Sequence, residues 1–181
     1  MASVVLLTGA AGAGKTTIAR SVENLGLRNC EVHFFDSIGV PSVEQMRSEF
    51  GPGHEPGGAW LRAMTLQWMK RIRTILDRGT SVVFEGQMRI AFIGEALTEA
   101  LTENQISSAH VILLDCDDAT RAERLRVDRA QAELANPDMM NWARYIRDEA
   151  YAANVEILDT GRLPIEESVR VIVERLTGIA G

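Results

Sequence analysis

Short hydrophobic runs alternate with longer amphipathic segments along the chain. The runs are rich in Val, Leu and Ile and predict buried β-strands, which cover Ser3–Thr8, Glu31–Asp36, Thr80–Glu85, Ala109–Leu114 and Val155–Asp159. Apolar residues at helical spacing predict α-helices, which cover Thr16–Leu25, Ala59–Arg78, Ile90–Glu103, Ala119–Leu134, Asp138–Asn154 and Pro164–Leu176. Buried strands separated by helices form parallel sheets covered on both faces, so the pattern predicts a three-layer α/β fold with a five-stranded parallel sheet.

The chain of 181 residues has the length of one domain, usually about 100–200 residues, and we predict a single domain over residues 1–181. Its 46% hydrophobic and 24% charged residues are typical of globular proteins. The linker-like stretch at residues 51–58 is too short to separate two domains. It lies in an insertion, residues 37–78, between the second and third strands. Trp60 and Trp68 in this insertion have helical spacing, which favours the core over stacking on a flat ligand.

Charge and cysteine content argue against several classes of protein. With 25 acidic and 19 basic residues the net charge is −6, and a nucleic-acid partner would normally require a basic excess. The two cysteines are far apart in the sequence, so we expect no disulfide framework and a cytoplasmic location. No apolar run approaches the length of about 20 residues that spans a membrane, so we expect no membrane partner. A monomer and a homodimer are both compatible with the sequence.

The motif G-x-x-x-x-G-K-[ST] follows the first strand and precedes the first helix. Its residues are Gly9, Ala10, Ala11, Gly12, Ala13, Gly14, Lys15 and Thr16. Small residues let backbone N–H groups surround a phosphate, and the positive end of the following helix adds to the attraction. The lysine reaches the β- and γ-phosphates, and the threonine hydroxyl can ligate Mg²⁺. The motif resembles that of the P-loop NTPase superfamily, which implies ATP and Mg²⁺ as cofactors. The resemblance also implies that Thr17, the next residue, belongs to the ATP-binding site.

Two predicted strands end in an acidic residue, Asp36 and Glu85. The carboxyl ends of parallel strands lie at one edge of the sheet, so both carboxylates should emerge beside the phosphate loop. One can hold Mg²⁺ together with Thr16, and the other can accept a proton from an attacking hydroxyl group. Both are candidates for the metal. We favour Asp36 as the base and Glu85 on the metal side, although residue type alone leaves the two roles open.

The residues after the third strand extend the resemblance. The segment Glu85-Gly86-Gln87-Met88-Arg89 is similar to the D-G-F-P-R motif of nucleoside monophosphate kinases, with Gln and Met in place of Phe and Pro. In that family the arginine binds the phosphate of the acceptor. The resemblance therefore implies that Arg89 binds a phosphate or a carboxylate of the acceptor. A surface arginine at the start of a helix is the alternative.

The predicted helix after the fourth strand carries four arginines, Arg121, Arg124, Arg126 and Arg129. The small P-loop kinases (adenylate, shikimate and gluconate kinases and chloramphenicol phosphotransferase) have an arginine-bearing lid at this point. The resemblance implies a lid over about residues 119–140, in which Arg124 and Arg129 stabilise the charge of the transferred phosphoryl group. Arg121 is then expected near the nucleotide and Arg126 near the acceptor. A solvated helix held by salt bridges is the alternative.

The turn after the last strand reads Asp159-Thr160-Gly161-Arg162. In the same kinases this turn lies beside the adenine, so the resemblance implies that Thr160 and Arg162 contact the nucleotide, mostly through the backbone. An ordinary strand-to-helix turn is equally compatible with these residues.

The resemblance covers the whole chain and implies a strand order of 2-3-1-4-5 and an ATP-dependent phosphotransferase. The acceptor is expected to be a nucleoside, a nucleotide or a similar small hydroxyl compound, bound mainly by the insertion. One alternative is a metabolite or antibiotic kinase whose acceptor carries no phosphate, and another is a regulatory ATP-binding protein without catalysis. A GTPase is less favoured because the sequence contains no N-K-x-D motif.

Overall fold

The computed structural model describes residues 2–39, 41–51, 58–128 and 130–178. Its strands are β1 (Val4–Thr8), β2 (Cys30–Phe34), β3 (Ser81–Glu85), β4 (Ala109–Asp115) and β5 (Glu156–Asp159). They form a five-stranded parallel sheet in the order β2-β3-β1-β4-β5, which confirms the predicted fold class and strand order. Because β1 lies between β3 and β4, the loop after β1 lies between the loops that follow these two neighbours.

Helices cover both faces of the sheet. They are α1 (Lys15–Asn24), α2 (Val43–Phe50), α3 (Gly58–Leu76), α4 (Ile90–Ala100), α5 (Glu103–Ser107), α6 (Asp118–Glu123), α7 (Pro137–Ala152) and α8 (Ile165–Thr177). Alternate residues of β1 face opposite layers. Val4 and Leu6 pack with residues of α3 and α4, whereas Val5 and Leu7 pack with residues of α1 and α8. Since both faces are buried, the strand is apolar at every position before Thr8, as its sequence shows.

The tryptophan side chain of Trp68 belongs to the core. It is 4% exposed, its ring centroid lies 4.8 Å from that of Phe84 on β3, and its Nε1 donates a hydrogen bond of 3.2 Å to the carbonyl oxygen of Phe35. Trp60 is only partly buried and meets the ring of Phe35 edge-on at 5.8 Å. The core interpretation of Trp68 is therefore confirmed, and the residue fixes the backbone just beyond β2.

The predicted continuous helix over residues 119–134 is wrong. Helix α6 ends at Glu123, and Arg124–Asp128 form a wider π-helical turn. Leu125 is fully buried and packs beneath Gly12 of the phosphate loop, while the Arg124 side chain reaches Thr160. These contacts place Arg124 and Leu125 against the turn after β5 and the phosphate loop.

Other elements also differ from the sequence prediction, mostly at their ends. The predicted helix over residues 90–103 ends at Ala100, because Thr102 caps a separate short helix, α5. Helix α2 was not predicted, although Ser42 and Gln45 form the reciprocal side-chain to backbone hydrogen bonds of a capping box. Strand β2 ends at Phe34, two residues before its predicted end. These differences leave the sheet and its order unchanged.

Both cysteines are free thiols. Burial raises the pKa of Cys30 and of Cys116, which favours the protonated thiol. Within the described ranges, no helix combines the length and the apolar character needed to cross a membrane.

Candidate active site

The phosphate loop joins β1 to α1 and consists of small, mostly buried residues, with Ala10, Ala11 and Ala13 between the glycines. Gly12 and Gly14 have φ values of 80° and 86°, a left-handed conformation that glycine adopts without steric cost. A Cβ atom at Gly9 would lie 2.3 Å from the backbone carbonyl oxygen of Leu114 on β4. The first turn of α1 begins at Lys15, so the positive end of this helix lies at the loop. The segment therefore has the geometry of an anion cradle.

A cavity of about 430 Å³ opens on the loop, and its lining includes Lys15, Thr16, Thr17, Arg124 and Thr160. This volume falls in the range of about 300–1,000 Å³ that is usual for small-molecule sites. Lys15 is 9% exposed, and its Nζ donates a hydrogen bond of 3.1 Å to the carbonyl oxygen of Ala10, which keeps the ammonium group at the loop. With the N-terminus of α1 and the cationic side chains of Lys15, Arg20 and Arg124 in its lining, the cavity suits an anionic ligand such as a phosphate chain.

Thr16 and Glu85 are brought together, although 69 residues separate them in the sequence. The Thr16 hydroxyl donates to Glu85 Oε1 at 3.3 Å, and Glu85 is 7% exposed at the end of β3. Among the described residues no three His, Cys, Asp or Glu side chains form a metal cluster. Mg²⁺ commonly uses one or two protein oxygens and completes its shell with phosphate oxygens and water. The hydroxyl and the carboxylate therefore fit Mg²⁺ bound together with a phosphate chain.

Asp36 lies just beyond β2, on a 3₁₀ turn over Phe35–Ile38, and its side chain is exposed. The sheet register pairs Phe34 with Glu85, so Asp36 emerges at the same edge of the sheet as Glu85. Phe35 in this turn packs closely against Gly86, where an added Cβ atom would lie 2.5 Å from the Cβ atom of Phe35. The exposed carboxylate of Asp36 is accessible to an acceptor at this edge, whereas Glu85 is buried and contacts Thr16 of the loop.

Arg124 connects the segment after α6 to the far wall of the cavity. Its Nη1 donates to Thr160 Oγ1 at 2.9 Å and its Nη2 to the Thr160 carbonyl oxygen at 2.7 Å. Nη1 also lies 3.4 Å from the carbonyl oxygen of Gly12. Thr160 is 8% exposed, and its hydroxyl lies 3.0 Å from the carbonyl oxygen of Ala13. The turn after β5, the phosphate loop and Arg124 thus form one hydrogen-bonded unit, with the guanidinium group at the cavity.

Arg121 lies beneath the phosphate loop, where its side chain is fully buried. Its Nη1 donates to the carbonyl oxygen of Ala11 at 2.9 Å, and its Nη2 donates to Asp115 Oδ1 at 2.6 Å. The structure therefore shows Arg121 in contact with the floor of the loop, and its expected contact with the nucleotide stays a prediction. Charge-assisted hydrogen bonds of this kind hold backbone more firmly than neutral ones do.

Asp115 was missed by the sequence analysis. This carboxylate is 7% exposed at the end of β4 and pairs with Arg121 and, through a second short contact, with Arg147 of α7. The hydrogen bond to Asp115 raises the pKa of the Arg147 guanidinium, which keeps its positive charge. The signal was available, because Asp115 ends a strand just as Glu85 does. Through these two arginines Asp115 connects α7 to the backbone of the phosphate loop. It does not line the cavity and acts as a positioning residue.

Arg89 lies between β3 and α4, against α7. Its guanidinium group forms an ion pair with Glu149, with Nη2 2.5 Å from Oε1. The hydroxyl of Tyr145 donates to the same carboxylate at 3.0 Å, and burial, followed by the contact with Glu149, raises the pKa of Tyr145. The sequence did not indicate Glu149 or Tyr145 as partners of Arg89, because these contacts join segments about 60 residues apart.

Two other arginines of the predicted site, Arg126 and Arg162, are exposed. Arg126 is exposed on the π-helical turn. The side chain of Arg162 is 89% exposed and forms an ion pair of 3.3 Å with Asp159. Arg129 lies outside the described residues. The roles of these three residues at the acceptor, the nucleotide and the phosphoryl group stay predictions.

Solved structures with the same fold include several kinases. The shikimate kinase of Acinetobacter baumannii has a TM-score of 0.61 and 17% identity, over 98% of this chain and 94% of that chain. A sugar kinase of Janibacter sp. HTCC2649 has a TM-score of 0.64 and 22% identity, over 99% and 96%. The thymidylate kinase of Candida albicans has a TM-score of 0.62 and 13% identity, over 98% and 92%. At these identities the likeness shows a shared fold. No curated protein matches the sequence.

The match to a family of proteins is more extensive. A family model described as AAA domain matches residues 5–151, which takes in the phosphate loop, Asp36, Glu85, and the segment from Arg121 to α7. Because this match covers more than half of the chain, the protein belongs to the AAA domain family, and it has the fold of the small-molecule P-loop kinases.

Proposed function

We propose that the protein is an ATP-dependent phosphotransferase that moves the γ-phosphoryl group of Mg-ATP to a hydroxyl group of a small acceptor. One observation carries the proposal: Thr16 of the phosphate loop contacts Glu85 and lines the same cavity as Lys15 and Arg124. A hydroxyl and carboxylate pair for Mg²⁺ and two cations near the phosphates are what phosphoryl transfer requires. The kinases of similar fold act, by their names, on shikimate, sugar and thymidylate, so the fold alone does not select an acceptor.

In this reaction the loop N–H groups and Lys15 bind the β- and γ-phosphates and orient the terminal phosphorus toward the acceptor. Thr16 and Glu85 would hold Mg²⁺, which neutralises charge on the phosphate oxygens when bound. Asp36 accepts the proton of the acceptor hydroxyl. The hydroxyl oxygen then forms a bond to the γ-phosphorus as the bond to the bridging oxygen breaks, and ADP leaves.

Arg124 contributes through its position between Thr160 and Gly12. Its guanidinium group is held by three hydrogen bonds at the cavity and needs little reorganisation to stabilise negative charge on a phosphate chain. Preorganised donors in a water-poor site are worth more than mobile ones, because they do not lose hydration or side-chain freedom during the reaction. Arg124 is therefore the arginine of its segment that the contacts favour for the nucleotide.

The proposal is tested by an ADP-release screen with Mg-ATP over nucleosides, nucleotides, sugars and hydroxy acids. We expect at least one acceptor to accelerate ADP release far above the rate with water alone. Release of phosphate only to water over the whole panel would contradict the proposal and favour the regulatory ATP-binding alternative.

The base is tested by Asp36→Asn, with Asp77→Asn as the control, since Asp77 is an exposed acid at the end of α3. Loss of a general base costs about 10²–10⁴-fold in rate, so Asp36→Asn should lose transfer by about that factor while its ATP affinity stays within about twofold of the control. Transfer at the control's rate would contradict the role of Asp36.

A further inference from the structure

The arginine that the sequence assigns to the acceptor already binds an anion of the protein. Arg89 Nε and Nη2 donate to Glu149 Oε1 at 3.0 and 2.5 Å. The two side chains are only 11% and 16% exposed, so the pair is largely removed from water. A charge pair at these distances is locally neutral, and it attracts a further anion far less than a single arginine does.

The Glu149 carboxylate is itself fixed in place by two more donors. Its Oε2 accepts a hydrogen bond of 3.1 Å from the backbone N–H of Ile90, and its Oε1 accepts one of 3.0 Å from the Tyr145 hydroxyl. Ile90 is the first residue of α4, where the positive end of the helix also favours a negative charge. The carboxylate thus occupies the kind of position in which a phosphate of an acceptor would otherwise be stabilised.

Two aromatic rings enclose the Arg89 guanidinium group. Its Cζ atom lies 4.6 Å from the ring centroid of Phe92 on α4 and 5.1 Å from that of Tyr145 on α7. Arginine stacks on aromatic rings through cation–π attraction, which adds to its ion pair. The contacts join the β3–α4 junction to α7, so Arg89 has the environment of a residue that holds helices together.

A phosphate group arriving at Arg89 would have to displace the Glu149 carboxylate or lie against it. Displacement would break the contacts of the carboxylate with Arg89, Ile90 and Tyr145 and leave a largely buried anion without its counter-charge. Close approach would bring two anions together in a site with little water. Neither outcome favours a phosphate ester over the corresponding free hydroxyl compound.

From this pair we infer that the acceptor is a small hydroxyl compound without a phosphate group, and that Arg89 clamps α7 to the β3–α4 junction instead of binding an acceptor anion. The inference rests on the proposed phosphotransferase function. It selects the metabolite-type acceptor over the nucleoside monophosphate implied by the resemblance of residues 85–89 to the D-G-F-P-R motif.

Binding is measured first on the unmodified protein, with the nucleotide cavity saturated by a non-hydrolysable Mg-ATP analogue so that added phosphate groups cannot bind at the loop. Calorimetry compares matched pairs of ligands, such as uridine with uridine 5′-monophosphate and glucose with glucose 6-phosphate. We expect the phosphate group to leave affinity unchanged or to lower it, and absence of binding by every phosphate ester agrees with this. A pair in which the phosphate raises affinity more than threefold would overturn the inference.

Two variants test Arg89 itself, with Arg170→Gln as the control, because Arg170 forms exposed ion pairs on α8. Arg89→Gln removes the ion pair with Glu149, and Arg89→Lys keeps the charge but not the planar guanidinium group, so both should lower the melting temperature relative to the control. Any phosphate ester that binds the unmodified protein should bind both variants within threefold of that affinity, and a larger loss in either variant would contradict the assignment. If no ester binds, variants that melt at the temperature of the control would contradict the clamp. A silent ADP-release screen would contradict the proposed function, whereas the binding and melting measurements would still test the role of Arg89.

Discussion

Replacing Asp115 by asparagine tests whether a buried charge pair supports the phosphate loop. The carboxylate accepts hydrogen bonds from Arg121, which also binds the carbonyl oxygen of Ala11 on the loop, and from Arg147 on α7. Asparagine has almost the same shape but no charge. The substitution therefore removes the electrostatic part of the interaction with little change in packing.

The expected loss of stability in Asp115→Asn depends on how deeply Arg121 and Arg147 are buried. Arg121 is fully buried, so the neutral side chain of the Asp115→Asn variant would leave its cation without an opposite charge, and breaking a buried pair in this way costs about 3–5 kcal/mol. The asparagine carbonyl still accepts one hydrogen bond, and Arg147 is 28% exposed, so water can solvate it. We therefore expect the free energy of unfolding to fall by about 3 kcal/mol, the lower end of that range. The total free energy of unfolding of a domain is about 5–15 kcal/mol.

Urea unfolding followed by tryptophan fluorescence measures this loss. With a slope of about 2 kcal/mol per molar, the midpoint should fall by about 1.5 M. The matched control is Glu95→Gln, which breaks a 2.7 Å ion pair with Arg62 whose side chains are 50% and 59% exposed. An exposed pair contributes about 0–1 kcal/mol. If Asp115→Asn lowers the midpoint no more than Glu95→Gln does, the buried pair does not support the loop.

Three other substitutions have defined outcomes. Gly9→Ala introduces a methyl group against backbone and should lower the free energy of unfolding by about 2–3 kcal/mol; an unchanged urea midpoint would refute this. Arg124→Gln should weaken ATP binding in calorimetry about tenfold relative to Arg170→Gln, since a charged contact contributes about 1.5–3 kcal/mol; equal affinities would argue against it. Hydrogen bonds from Thr120 hold the pKa of Asp117 below its usual value. The ionised Asp117 carboxylate therefore stabilises the folded protein above about pH 4, and this stabilisation is lost as the pH falls through the lowered pKa. The difference in free energy of unfolding between the unmodified protein and Asp117→Asn should shrink in acid, and a difference that does not depend on pH would disprove this.

Much of the architecture follows from local sequence. The strands β1, β3 and β4 are buried on both faces over most of their length, and such strands must be apolar at nearly every position, so they were recognisable as runs rich in Val, Leu and Ile. The phosphate loop was equally clear, because left-handed backbone at Gly12 and Gly14 requires glycine and the lysine follows at once. The order of the strands came from the family resemblance rather than from the pattern.

Helix boundaries in the segment after β4 depended on contacts that local pattern does not contain. Arg124 and Leu125 are adjacent and both contact Gly12, and Arg124 also reaches Thr160, so this π-helical segment packs against the phosphate loop and the turn after β5. The amphipathic spacing of this segment predicted one regular helix, because periodicity describes a single apolar face and cannot anticipate two different partners.

The sequence by itself determined the fold class, the phosphate loop and the two acids at the sheet edge, since each depends on residue type within a short segment. Only the tertiary structure decided which arginines have protein partners. Arg121 and Arg89 are predicted phosphate ligands from the sequence, and in the folded chain Asp115 and Glu149 pair with them. An arginine binds a protein carboxylate and a phosphate with the same planar donors, so only the position of the nearest carboxylate in the folded chain separates a structural arginine from a binding one.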